Sequence, residues 1–140
     1  MTPEDLVEIE LIKQLKARYF RLMDQGRWDE FAALFTEDCE QSWQSAPGVV
    51  AAGGRGRDGV VAFIRDSLAG LRSVHHGHMP EIELQGPARA TGIWALHDVC
   101  TAKGETVFDG AGYYRDEYVK QDGRWLIRST RLEAEPFERG

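Results

Sequence analysis

A chain of 140 residues, 42% hydrophobic and 29% charged, has the size of one domain over 1–140, and that length buries a core without a metal or a disulfide. Its formal net charge of -6 lacks the basic stripe that nucleic acid requires and disfavours an anionic membrane surface. No apolar run reaches the length of a membrane span, Met1-Thr2-Pro3-Glu4-Asp5 is too polar for a signal peptide, and the isolated Cys39 and Cys100 form no metal or redox spacing, so the expectation is a reduced, cytoplasmic protein.

The elements follow in chain order. Thr2-Pro3-Glu4-Asp5 reads as a helix start, with a capping hydroxyl, proline in the first turn and acids at the positive end of the dipole. Ile9, Ile12, Leu15 (or Lys16), Tyr19 and Met23 continue at helical spacing until Gln25-Gly26. Trp28 to Phe35 reads as a second, short amphipathic helix and Thr36 to Trp43 as a strand. Pro47 to Gly59, rich in glycine and small residues, reads as a loop. Asp58-Gly59 leads into a third helix with Val60, Phe63, Ile64, Leu68 and Leu71 on one side.

From Ser73 the period becomes two. Ala90 to Thr101 and Val107 to Lys120 are long strand patterns, Gln121-Asp122-Gly123 is a hairpin signal, and Trp125-Leu126-Ile127 opens the last strand. The short connections predict an antiparallel sheet, hence an α+β domain: a curved sheet packed on three helices. Such a cone has an apolar interior and one open end, the shape of a small-molecule pocket.

Chemistry concentrates in Ser73 to Pro80, where His75, His76 and His78 supply three of the four histidines. His76 and His78 share a strand face that His75 does not; no third ligand is evident, so no metal and no cofactor are expected. No dinucleotide loop, phosphate loop or serine-hydrolase elbow occurs. Trp94, Leu96, Asp98 and Cys100 share one face of their strand. Asp98 there either meets a partner or ends the strand in water. Asp24 closes the first helix, where the dipole disfavours a carboxylate: it is either solvated or met by a cation. Tyr19 lies about 140° around the helix from it and by itself reads as core.

Four stretches together resemble the SnoaL-like branch of the nuclear transport factor 2-like superfamily, a cystatin-like α+β barrel. They are Tyr19 to Asp24 followed by Trp28-Asp29, Ser73 to Ile82, Ala90 to Asp98, and Tyr118 to Ile127. The motifs are closest to the bile acid 7-alpha-dehydratase and scytalone dehydratase members. The resemblance implies an Asp24–His75 pair across the cone, joined by Tyr19 and Asp98. The arginine that the family places in the last strand falls near Ala134 here, with Arg131 the nearest substitute as a polar anchor. The activity implied by the resemblance is that of a cofactor-free lyase, acting by dehydratase-type β-elimination on a hydrophobic cyclic substrate such as a steroid or polyketide. His75 is the expected base, Asp24 its orienter, Tyr19 the oxyanion donor, and Asp98 the group assisting the leaving hydroxyl. Trp43, Trp94 and Leu96 are expected to line the apolar wall. A double-bond isomerase or cyclase, or a non-catalytic small-molecule-binding domain, is the alternative on the same fold. The resemblance also implies a homodimer or homotrimer, formed through the outer sheet face that carries Ile93, Ala95 and Val99.

Overall fold

The computed structural model describes residues 1–46 and 48–134, the side chains of 45 and 46 aside. The elements are α1 (Pro3–Asp24), α2 (Trp28–Ala32), β1 (Phe35–Ala46), β2 (Val49–Arg55), α3 (Gly56–Ser67), β3 (Arg72–Leu84), β4 (Arg89–Ala102), β5 (Glu105–Gln121) and β6 (Arg124–Ala134). The six strands form one sheet in the order β2-β1-β6-β5-β4-β3, and with the three helices they make the expected α+β architecture. Among the described residues no helix is long and apolar enough to cross a membrane.

α1 starts where its cap predicts. The Thr2 hydroxyl accepts the Asp5 N–H at 3.1 Å, and the Asp5 carboxylate accepts the Thr2 N–H at 2.9 Å. One face of α1 buries Ile12, Leu15, Lys16, Tyr19 and Met23 in the core. Phe31 of α2 and Phe35 of β1 join them, with ring centroids 5.1 Å apart and Tyr19 at 5.2 Å from Phe31. Cys39 and Cys100 are free, buried thiols.

Three local expectations are corrected. Pro47 lies outside the described residues, and residues 48–59 are not one loop, because β2 and the first turn of α3 occupy most of them. Their small residues serve close backbone approach: a side chain at Gly53 would collide with the Gln41 carbonyl, and a Cβ at Gly54 would lie 2.6 Å from the Gly59 oxygen. The second helix stops at Ala32, and Phe35 already belongs to β1. Leu68 and Leu71 lie beyond the end of α3 at Ser67. The sheet is antiparallel at every junction but one, since β1 runs parallel to β6. The long excursion through α3 and β3–β5 gives the chain the crossover that a parallel neighbour needs.

Candidate active site

Strand periodicity puts Ser73 and His75 on the same face of β3, opposite the C-terminal end of α1. Asp24, the last residue of α1, receives both. Its Oδ1 accepts the Ser73 hydroxyl at 2.9 Å, its Oδ2 accepts the backbone N–H of His75 at 2.9 Å, and Oδ1 lies 2.5 Å from His75 Nδ1. Three partners thus compensate a carboxylate at the wrong end of a helix dipole. Phe20, one turn earlier on α1, stacks against the imidazole with centroids 6.2 Å apart and planes 18° from parallel. Gly77 makes room for that ring, since any Cβ there would run into Phe20.

The other imidazole nitrogen faces Asp98. The two residues are register partners across β3 and β4, and His75 Nε2 lies 3.6 Å from Asp98 Oδ2. Burial pushes the Asp98 carboxyl above the usual range, against the pull of His75. His75 is therefore held between two carboxylates with its side chain 6% exposed.

Of these groups His75 and Asp98 line a cavity of about 400 Å³. Buried Tyr19, Gln41 and Tyr114 line it with them, as do Leu68, Leu71 and Leu132 and the exposed Trp43, Val107 and Phe108. Burial pushes the Tyr19 phenol up, so that it stays protonated, and does the same to Tyr114. Behind the two rings lies a charged network that no sequence motif marks. The Lys16 ammonium meets Asp116 Oδ2 at 2.8 Å with both side chains fully buried, and sits 3.8 Å from the centroid of Tyr114 and 4.1 Å from that of Tyr19. The Tyr118 hydroxyl donates to Asp116 at 2.6 Å and accepts Trp94 Nε1–H at 3.0 Å. Burial lowers the Lys16 pKa and Asp116 opposes it.

The structure therefore brings Tyr19, Asp24, His75, Asp98 and Trp43 to one site. It does not bring Trp94, Leu96 or Arg131 there. Trp94 and Leu96 do share the inward face of β4 with Asp98, but they belong to the packed core. Alternation identifies the face, not the depth at which core replaces cavity. In β6 it is Leu132 that faces the cavity, so its neighbour Arg131 faces away and meets Glu133 at 3.2 Å. Arg131 lines a second, polar groove with Glu40, Ser42, Arg55 and Glu117, which shares Gln41 with the cavity. On the outer face, His76 and His97 stack 6.0 Å apart, and His97 Nε2 is 2.7 Å from Asp109 Oδ1. Among the described residues no group of three or more His, Cys, Asp or Glu side chains converges as metal ligands. Gln41, Ser73, Tyr114, Lys16 and Asp116 are additions to the site. For Lys16 a signal existed in its helical spacing with Ile12, Tyr19 and Met23, and for Ser73 in its sharing a strand face with His75.

Solved structures with the same fold span most of the chain. A provisionally assigned scytalone dehydratase from Novosphingobium aromaticivorans is 29% identical, with a TM-score of 0.82 over 97% of this chain and 89% of that one. A Mycobacterium tuberculosis protein of unknown function is 27% identical, with a TM-score of 0.83 over 98% of this chain and 78% of that one. An NTF2-like protein with a cystatin-like fold, also from N. aromaticivorans, is 20% identical, with a TM-score of 0.79 over 96% and 86%. The SnoaL-like domain is matched by residues 4–131, nearly the whole length, and the chain belongs to that family.

Proposed function

We propose that this protein is a cofactor-free lyase that eliminates water from a hydrophobic cyclic substrate. The observation that carries the reading is His75 held between Asp24 and Asp98 at the wall of an otherwise largely apolar cavity. Neutral His75 removes a proton, through Nε2, from a carbon next to a carbonyl or unsaturated system. Asp24 keeps the other proton on Nδ1 and stabilises the imidazolium that forms. The Tyr19 hydroxyl donates to the oxygen on which charge develops. Asp98, kept protonated more readily by burial, gives its proton to the leaving hydroxyl. A carbon–hydrogen and a carbon–oxygen bond break, a carbon–carbon double bond forms, and water departs. The imidazolium then returns its proton to Asp98, restoring both groups. The SnoaL-like family includes polyketide cyclases and dehydratases, and the N. aromaticivorans relative is assigned to the latter, which supports this choice.

The test is product analysis by mass spectrometry after incubation with a panel of cyclic hydroxy-ketones, including steroid and aromatic polyketide skeletons. Loss of one water, dependent on His75, is the expected result. A product of unchanged mass would move the assignment to an isomerase, which uses the same proton shuttle without a leaving group. Conversion of no member of the panel would leave the binding-domain alternative.

Assembly is part of the same reading. Ile93, Ala95 and Val99 lie on the outer face of β4, and Val74 and Tyr113, exposed by 44% and 43%, extend that face on β3 and β5. Light scattering is expected to find two or three copies per particle. Replacing Val74 and Tyr113 by lysine is expected to yield monomers, and a monomeric wild-type protein at high concentration would refute the idea.

A further inference from the structure

Two buried side chains of the cavity lining carry polar atoms with no hydrogen-bond partner among the described residues, the Tyr19 hydroxyl and Gln41 Oε1. Tyr19 is 0% exposed and Gln41 is 9% exposed, so bulk solvent reaches neither freely. Bare buried polar atoms are costly, and a native protein that keeps two of them together has a use for them. They also address one place: Tyr114 and Gln41 lie near enough to the Tyr19 hydroxyl for weak hydrogen-bond contacts that lower its pKa against burial, although neither contact has the geometry of a full hydrogen bond.

The chemistry of the pair is selective. A neutral phenol can donate, and the amide oxygen of glutamine can only accept. A donor beside an acceptor is complementary to a group that accepts one bond and donates one. A hydroxyl does both; a ketone or ether oxygen satisfies Tyr19 alone and leaves Gln41 bare. Among the described residues the cavity lining contains no lysine or arginine, and its carboxylate is Asp98, so none of them offsets the charge of a substrate anion. A water bridging the same two groups is the competing occupant, and a ligand that evicts it must replace both bonds.

We propose that Tyr19 and Gln41 form a subsite for a neutral ring hydroxyl, phenolic or enolic, which makes Gln41 the residue that selects hydroxylated rings. This deepens the lyase reading and rests on it only for treating the cavity as the substrate site. It also gives that reading a substrate class, rings that carry a neutral hydroxyl.

The experiment is equilibrium binding by calorimetry with two probes, 2-naphthol and 2-methoxynaphthalene. Both are neutral aromatic rings small enough for the cavity, but only the first can donate to Gln41. The wild-type protein is expected to prefer 2-naphthol by about tenfold, and Gln41→Leu to abolish that preference while leaving the affinity for 2-methoxynaphthalene within about threefold. Should the leucine variant fail to fold, Tyr19→Phe, which removes a single oxygen, is expected to weaken both probes while keeping the preference for 2-naphthol, because Gln41 still accepts its proton; loss of that preference there would overturn the proposal. Equal affinity of the wild type for both probes, a parallel loss of both in Gln41→Leu, or binding of neither would overturn the proposal. His75→Ala separates the two readings, because a protein without the proposed base should keep the preference for 2-naphthol. Selective binding in a wild type that dehydrates no hydroxylated ring would reject the lyase and retain the subsite. Dehydration that continues in Gln41→Leu with unchanged KM would do the reverse.

Discussion

Replacing His75 by alanine is expected to lower the rate of the elimination step by roughly 10²–10⁴-fold while substrate affinity changes little. The reason lies in what the imidazole touches. Its two nitrogens face Asp24 and Asp98, and its stacking partner is Phe20, so little of its surface is left to bind ground-state substrate. Asp24→Asn should cost a similar factor by a different route. Asp24 accepts from the Ser73 hydroxyl, the His75 amide and the His75 ring. An asparagine accepts through one oxygen only, so its NH2 group faces a donor or turns the imidazole to the tautomer with no lone pair on the cavity side. Because the pair acts as a unit, the double variant should be scarcely slower than either single one. Single-turnover kinetics report the step, and calorimetry with an unreactive ligand reports affinity. A His75→Ala rate within threefold of wild type would place the base elsewhere, with Asp98 the first residue to examine.

The largest effect on stability is expected at Lys16. Lys16→Met leaves the Asp116 carboxylate buried and unpaired, and Asp116→Asn leaves the ammonium in the same position; each should cost about 3–5 kcal/mol. Loss on that scale shifts the thermal midpoint by on the order of 10 °C or more for a domain of this size. Lys16→Met combined with Asp116→Leu removes both charges and should recover most of the loss. The Tyr118 hydroxyl then gives up its acceptor but keeps the indole N–H of Trp94. Guanidinium unfolding of the four proteins closes a double-mutant cycle. Single variants that each lose less than about 1 kcal/mol would mean that the pair is solvated in solution, since exposed ion pairs are worth no more than that. Lys16 and Asp116 also underlie the tyrosine end of the cavity, so ligand affinity should fall in the recovered double variant even where its stability does not.

The fold was legible because its signals are local. A capping box, a stop at Gln25-Gly26, a change of period at Ser73 and a hairpin at Asp122-Gly123 each define an element from adjacent residues. The missed strand, Val49–Arg55, is the instructive case. Its glycines look like loop composition, yet they answer a demand made by the Gln41 carbonyl on another strand and by Gly59 at the start of the next helix. Asp24 and His75 were legible together only through the resemblance, since a carboxylate at a helix end, taken alone, reads first as solvated. Trp94, Leu96 and Arg131 show the limit of alternation: it tells inside from outside, but neither where a cavity ends nor which neighbour in a strand turns inward. Lys16 and Asp116 form a pair only once α1 lies over β5, and no sequence spacing connects them.

The cavity is assembled from two kinds of material. Its polar part comes from within β1, β3, β4 and β5 and from the buried face of α1, where an insertion would break register or core. Its less buried part comes from near the ends of elements: Leu68 and Leu71 follow α3, Val107 and Phe108 follow the β4–β5 turn, and Trp43 lies near the end of β1. Turns tolerate length changes that strands do not. Descendants of this chain can therefore diverge in which molecules they admit by lengthening or shortening two turns, while the proton-transfer apparatus is inherited intact. Chimeras that exchange the β4–β5 turn between relatives are the natural way to move substrate preference without rebuilding the catalyst.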